Sequence, residues 1–481
     1  MKLNSVKVNA FLNVIRIAMS VLFPLITFPY ASQVLGVSNL GKVQFATSVV
    51  SYFALIAALG VQTYGTREGS KVREDQEKFN HLCSEIFTVN IISTVIAYVL
   101  LIILVLLPTK IQGYKVLIFI QSIVLILTTL GVDWVYASKE DFYYITVKSI
   151  IAQVISIILL FLFVRHKNDY YVYSLTTVVA ASGMYISTFL HSKKYVHLKL
   201  IFSKSIFRHL KPMFILFSNN LAISIYVNSD VLMLGLFATD LNVGLYSVSV
   251  KIYSVVKSLL NAITLAVLPR LSLLSTKENK DEYFILGEQI LHACIILILP
   301  AIVGLFLLSK DIILLLSGQS YLSATSSLKL LTLALGFSVL ANFFINAILI
   351  INNEEKYALN ITLIAGFVNI ALNFIMIPLL KQDGAAITTI IAECIVAILS
   401  GHKAKKYMRV RNSLKVFVQS VIGCIGIYFV YFFITRFVTY LILNIILIFL
   451  VSVVVYFLIL YVLGNNMVKT SISTIKSILP F

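Results

Sequence analysis

The chain has 481 residues, 59% of them hydrophobic and 12% charged, with a formal net charge of +18. A soluble globular fold is excluded, because its loops and outer faces would need more polar surface than this composition supplies. The basic excess sits mostly in short loops between apolar runs, which matches the positive-inside rule and argues against a nucleic-acid partner.

Apolar runs of about 20 residues are long enough for a helix to cross ~30 Å of hydrocarbon. About 14 such spans are predicted, near 11–34, 42–64, 81–107, 115–137, 143–164, 171–191, 212–236, 244–268, 284–308, 325–351, 358–380, 385–402, 414–435 and 440–463. They are too long for barrel strands and lack period-two alternation, so they read as helices. Lys2 and Lys7 ahead of the first run could mimic a leader, but Arg16 interrupts that run and no small-residue cleavage site follows. The segment is expected to stay as the first membrane helix.

With the N-terminus inside, alternate connections carry 25 of the 38 basic residues and the opposite connections about a third as many. That bias places both termini in the cytoplasm. The longest outside connection, 309–324, contains the apolar run Ile312 to Leu316 and is expected to lie as a helix at the interface. A weak internal echo pairs Leu35-Gly36, Gly41 and Arg67 with Leu234-Gly235, Gly244 and Arg270. Repeats of this kind are common in transporters, with the site between them.

A charge at bilayer depth costs roughly 2.5 kcal/mol or more, so basic residues inside the spans mark a protein interior or a wet cavity. In the first span Asn9, Asn13, Arg16, Ser20, Pro24 and Thr27 follow steps of three and four and share one helical face. Arg16 either faces a cavity there or snorkels to the cytoplasmic headgroups. In the eighth span Ser247, Lys251, Ser254, Ser258 and Asn261 form one stripe, and Tyr246, Tyr253, Lys257 and Thr264 form a second beside it. Lys251 is the foremost anion contact and Lys257 the next. The seventh span carries Asn219, Asn220, Ser224, Asn228 and Asp230. Asp230 either pairs with a basic residue or binds a proton or Na⁺. Asn13, Ser20, Ser254, Asn220 and Asn228 are expected to line the cavity.

Other features carry little chemistry. Thr362, Gly366, Asn369 and Asn373 have the spacing of a helix-packing face. Glu288 and His292, one turn apart, are ordinary structural neighbours or part of a proton relay. Gly36 to Val43 imitates a phosphate-binding loop but lacks the Ser or Thr after Lys42 and follows a membrane helix instead of a strand. The four cysteines show no metal-ligand spacing and read as packing residues. No catalytic triad or paired-carboxylate motif stands out, so neither an enzyme nor a cofactor or metal site is expected.

The stretch Leu22-Phe23-Pro24-Leu25-Ile26-Thr27-Phe28-Pro29-Tyr30-Ala31-Ser32, with Val34-Leu35-Gly36, resembles the first helix of bacterial Wzx-type polysaccharide-unit flippases. Gly41-Lys42-Val43, Tyr64-Gly65 and Arg67-Glu68 resemble the second helix and first cytoplasmic loop of that family, and Asp230 to Gly235 with Gly244-Leu245-Tyr246-Ser247 a later part. The resemblance implies the superfamily of multidrug and oligosaccharidyl-lipid exporters: an all-α polytopic protein with two six-helix bundles around a central cavity and two added helices. On that pattern 1–191 is the first bundle, 192–211 a basic cytoplasmic linker, 212–402 the second bundle, and 403–481 two further helices and a tail. The implied cargo is an oligosaccharide unit on undecaprenyl pyrophosphate, flipped across the bacterial cytoplasmic membrane for O-antigen, capsule or related polymers. Membrane lipids and a polysaccharide polymerase are the implied partners. Lys42 joins Arg16, Lys251 and Lys257 as an implied substrate contact. A multidrug/cation antiporter would want an acidic cavity, whereas the charges inside these spans lean basic. A lipid II flippase is a nearer alternative, and a membrane polymerase would carry a large outside loop.

Overall fold

The structure, a computed structural model, describes the backbone of residues 6–275 and 281–470, with side chains except at 6–14, 16–18, 20, 21 and 227. Every regular element among the described residues is helical. The α-helices are α1 (Val6–Leu35), α2 (Val37–Ala58), α3 (Val61–Lys71), α4 (Gln76–Leu106), α5 (Lys115–Leu130), α6 (Asp133–Ser138), α7 (Phe142–Phe163) and α8 (Tyr170–Ser182). They continue with α9 (Met184–Ser192), α10 (Phe207–Phe237), α11 (Asp240–Ser275), α12 (Asp281–Ser317), α13 (Thr325–Asn342), α14 (Glu355–Ala404), α15 (Ser413–Phe437) and α16 (Leu441–Val462).

Among the described residues, eleven helical segments are long and apolar enough to cross a membrane. A twelfth comes from Lys204–Tyr226 with Asn228–Phe237, two pieces bent by 58°. The chain is therefore a multi-pass membrane protein. α14 contains the predicted spans 358–380 and 385–402, separated at Lys381, whose φ of 54° and ψ of −128° are not helical. Within the connection 309–324, Ile312 to Leu316 are helical and continue α12, which runs unbroken to Ser317. Ile313 is buried and the other four side chains of that run are half-buried.

Three predicted spans are broken where periodicity alone shows no break. The run 42–64 divides at Leu59 and Gly60, both with positive φ. The run 115–137 divides at Gly131 and Val132 between α5 and α6, and 325–351 ends in a π-helical turn, Phe343–Leu349. α3 and α6 then pack side by side. Gly65 makes this contact close, because a Cβ there would meet the Trp134 ring at 2.6 Å.

The chain divides into two compact units, Met1–Gly244 and Leu245–Phe481. In the first, α2 is the central helix, packed against α4, α5 and α10. Its Phe45 is fully buried against Tyr114, with ring centroids 4.8 Å apart. α2 crosses the first turn of α11 almost backbone to backbone. A Cβ on Gly41 would run into the Asp240 carbonyl and the Gly244 amide, and one on Gly244 into the Val37 carbonyl. The two glycines of the sequence echo thus meet each other.

Loops sort by end within each unit. In the first, Arg73 pairs with Glu140 at 2.6 Å, Gln76 donates to the Tyr195 carbonyl at 2.8 Å, and Tyr195 donates to Asp141 at 2.6 Å. These join the segments 65–80, 138–142 and 192–211. At the other end Asn39 donates to the Lys167 carbonyl at 2.7 Å and Lys110 to the Ala238 carbonyl at 2.5 Å. In the second unit Glu354 accepts from Tyr407 at 2.5 Å and Lys403 at 2.9 Å. Those two contacts hold its carboxyl below the usual carboxylate range. This sorting follows the alternation predicted from the basic loops.

The second unit is built on α12, which packs against α13, α15 and α16. Tyr456 of α16 is buried and donates to the Ile296 carbonyl at 2.7 Å. In α14 the two arms fold back on each other. Thr388 donates to Asn373 at 2.6 Å and Asn373 donates to Asn369 at 3.1 Å, all three buried. This is the packing role expected for that amide stripe.

Candidate functional site

The two stripes of the eighth predicted span, now α11, have different surroundings. The tyrosine stripe is occupied by packing within the second unit. The Tyr246 hydroxyl lies 3.2 Å from the Thr389 hydroxyl, and Tyr253 donates to Glu393 at 3.3 Å, both on the second arm of α14. Lys257 Nζ lies 2.9 Å from the same Glu393 oxygen and 5.5 Å from the Tyr253 ring centroid. Lys257 is thus charge-compensated. A buried carboxylate needs such a cation, and Glu393 in an apolar run was the signal in the sequence that could have located this pair.

The serine stripe holds the other lysine. Lys251 is half-buried and makes no ion pair with a described residue. Three turns of α11 around it carry Ser247, Ser254 and Ser258; Ser254 donates to the Val250 carbonyl at 2.5 Å. Lys251 thus shares a helix face with small hydroxyl residues and has no ionic partner among the described residues.

In the first unit Lys42 is half-buried, 3.2 Å from the Asn39 side-chain oxygen and 5.2 Å from the Tyr170 ring centroid. It shares a cavity of about 350 Å³ with Lys110, Tyr114, Tyr170, Tyr171 and Asp240, where Tyr114 donates to Asp240. Asp230 is buried. Asn220 and Asn228 are exposed, Asn228 donating to Ser224 at 3.2 Å. Arg16, Asn13 and Ser20 lie outside the residues whose side chains are described.

A cluster that the sequence did not flag ties α3, α4 and α10. Glu85 is fully buried, with Arg208 at 2.5 Å and His209 at 3.0 Å, and Tyr64 lies 2.7 Å from the other His209 ring nitrogen. Removing Glu85 takes the carboxylate partner away from a ring nitrogen of the buried His209, at a cost of about 1–3 kcal/mol, while the exposed Arg208 stays hydrated. Glu85→Ala is therefore expected to lower the melting temperature sharply, and Glu85→Gln, which keeps one hydrogen bond, to lower it less. Thermal unfolding of the detergent-purified variants checks the order. Elsewhere His292 sits 3.0 Å from the Arg411 carbonyl and 3.8 Å from Glu288, so its closer contact is the α14–α15 connection. No cluster of three or more metal-ligating residues occurs among the described residues.

A family model described as "Polysaccharide biosynthesis protein" matches residues 6–275, more than half of the chain. The chain belongs to the polysaccharide biosynthesis protein family. Two curated relatives carry the name "Putative O-antigen transporter". One, from Escherichia coli (strain K12), is 27% identical over 82% of this chain and 97% of its own length. The other, from Shigella dysenteriae, is 23% identical over 78% of this chain and 94% of its own. Among solved structures, "Lipid II flippase MurJ, inward closed conformation" aligns with a TM-score of 0.77 at 16% identity, covering 96% of this chain and all of that one. An inward-facing multidrug transporter of the MATE family aligns at 0.59, 14% identity, 82% of this chain and 97% of the other. This family member therefore has the fold that those transporters share.

Proposed function

We propose that this chain is a lipid-linked glycan flippase, carrying undecaprenyl-pyrophosphate oligosaccharide units from the cytoplasmic to the outer leaflet of the bacterial cytoplasmic membrane. The product feeds O-antigen, capsule or related polymers. The family membership and the names of the relatives support the class. The observation that carries the mechanism is Lys251, a cation without an ionic partner among the described residues, on a polar stripe of a membrane helix. A wet basic passage spares the diphosphate the cost of entering hydrocarbon.

On this reading both termini are cytoplasmic, and two six-helix bundles, 1–191 and 212–402, alternate access to a cationic cavity that Arg16, Lys251 and Lys42 line. Lys257 is held in reserve by Glu393. The lipid tail stays in an apolar surrounding. The second unit has a cleft of about 420 Å³ walled by Leu297, Pro300, Gly304, Ile448 and Phe457, which offers a headgroup few hydrogen bonds and a hydrocarbon chain a good fit.

Depletion of the protein provides the test. Lipid-linked units are expected to accumulate while remaining shielded from a membrane-impermeant oxidant added outside intact cells. Units that stay accessible to the oxidant, with surface polymer unchanged, would refute the flippase reading. Loss of a polymerase would instead leave single units on the outer surface.

A further inference from the structure

We propose that Glu393 and Lys257 form a proton-binding site that couples proton uptake to capture of the diphosphate; this rests on the flippase reading and adds the coupling ion to it. Glu393 Oε1 sits 2.9 Å from Lys257 Nζ and 3.3 Å from the Tyr253 hydroxyl. The pair is neutral as a unit, so Lys257 offers an anion no surplus charge. The two side chains are unequally accessible: 28% of Lys257 is exposed against 7% of Glu393. Lys257 is therefore the more accessible member of the pair and Glu393 the more deeply buried one.

One proton changes this balance. It adds to a Glu393 oxygen, breaks no covalent bond, and leaves a neutral carboxyl whose O–H can be donated to the Tyr253 oxygen. Lys257 keeps its charge and loses its counter-ion, so the site gains one positive charge, which a phosphate oxygen then neutralises. The Tyr253 ring, 5.5 Å below the ammonium, holds Lys257 in place throughout. The ionisable groups facing this point, among the described residues, are Lys257 and Tyr253 from α11 and Glu393 from α14; α13 contributes the Ser338 hydroxyl, beside Tyr253. With no other carboxylate to share the proton, uptake is assigned to Glu393. Linkage then requires proton and diphosphate to strengthen each other's binding by the same factor, typically about 5- to 150-fold. Lys251, outside this pair, supplies the part of binding that does not vary with the site's protonation.

The test uses the full chain in lipid nanodiscs, with farnesyl diphosphate as probe. Calorimetry in buffers of different ionisation heat counts protons taken up per ligand bound. Wild-type protein is expected to take up about one proton more than K257Q/E393Q, a variant that leaves no unpaired charge to unfold it. E393Q is expected to bind at least as tightly as wild type at neutral pH, with a flatter pH profile. K257Q is expected to bind at least tenfold more weakly, without the extra proton. Because the probe's own protonation is common to all four proteins, the difference between them isolates the site. Equal proton counts in wild type and the double variant would overturn the coupling while leaving the flippase reading intact. Failure of wild-type protein to bind the probe at any pH would instead overturn the cargo assignment and this inference with it.

Discussion

Gly41→Val is expected to leave little folded protein in the membrane. The α2 backbone at Gly41 approaches the Asp240 carbonyl and the Gly244 amide so closely that any Cβ overlaps main-chain atoms. A flexible side chain could yield to the intruder, but main chain cannot. Overpacking usually costs about 1–3 kcal/mol, and a clash with backbone belongs at or above the upper end. Phe45, one turn further along α2, presses on Gly235 of α10, so a shift of α2 would disturb a second contact. Gly113→Ala is the control: nothing lies within 4 Å of that position, and its effect on stability should be small. Fluorescence-detected size exclusion and thermal melts of the two variants, expressed alike, give the comparison. A normal melt for Gly41→Val would refute the close crossing.

Lys251→Glu is expected to abolish surface polysaccharide, and Lys251→Gln to reduce transport by roughly 10- to 100-fold, at unchanged protein level. A charge-assisted hydrogen bond to phosphate is worth about 1.5–3 kcal/mol, and each 1.4 kcal/mol is about a factor of ten. Glutamate adds repulsion to that loss. Since Lys251 supports no ion pair with a described residue, its removal strands no described carboxylate, and melting should hardly change. Lys257→Gln should behave differently, because Glu393 then loses its partner and stability falls as well. Polymer measured by gel staining against membrane protein by immunoblot separates the two lysines. Full polymer in Lys251→Glu would remove the cationic-passage mechanism.

Much of the fold could be read in the chain because membrane burial is a one-dimensional constraint. Apolar run length located most helices, and basic loop bias sorted the connections into two groups that the structure brings together end by end. The breaks at Gly60, Gly131 and the π-helical turn escaped, since apolar composition continues across them and only tertiary contacts, such as Trp134 on Gly65, require the chain to turn there. The candidate site was half legible. Helical spacing separated the stripes of Lys251 and Lys257, but periodicity cannot reveal which stripe faces Glu393, 136 residues away. The same limit hid Glu85 with His209, where α4 and α10 are distant in sequence and adjacent in space.

The Asn369–Asn373–Thr388 knot has a consequence for motion. Its three polar side chains are buried and linked to one another by hydrogen bonds. Separating the two arms of α14 would strand amide groups in an oily environment, at a cost of about 1–2 kcal/mol for each hydrogen bond lost. Moving the arms together keeps these hydrogen bonds. In any working cycle α14 should therefore swing as one stiff paddle, with its pivot placed beyond its ends and never along the seam.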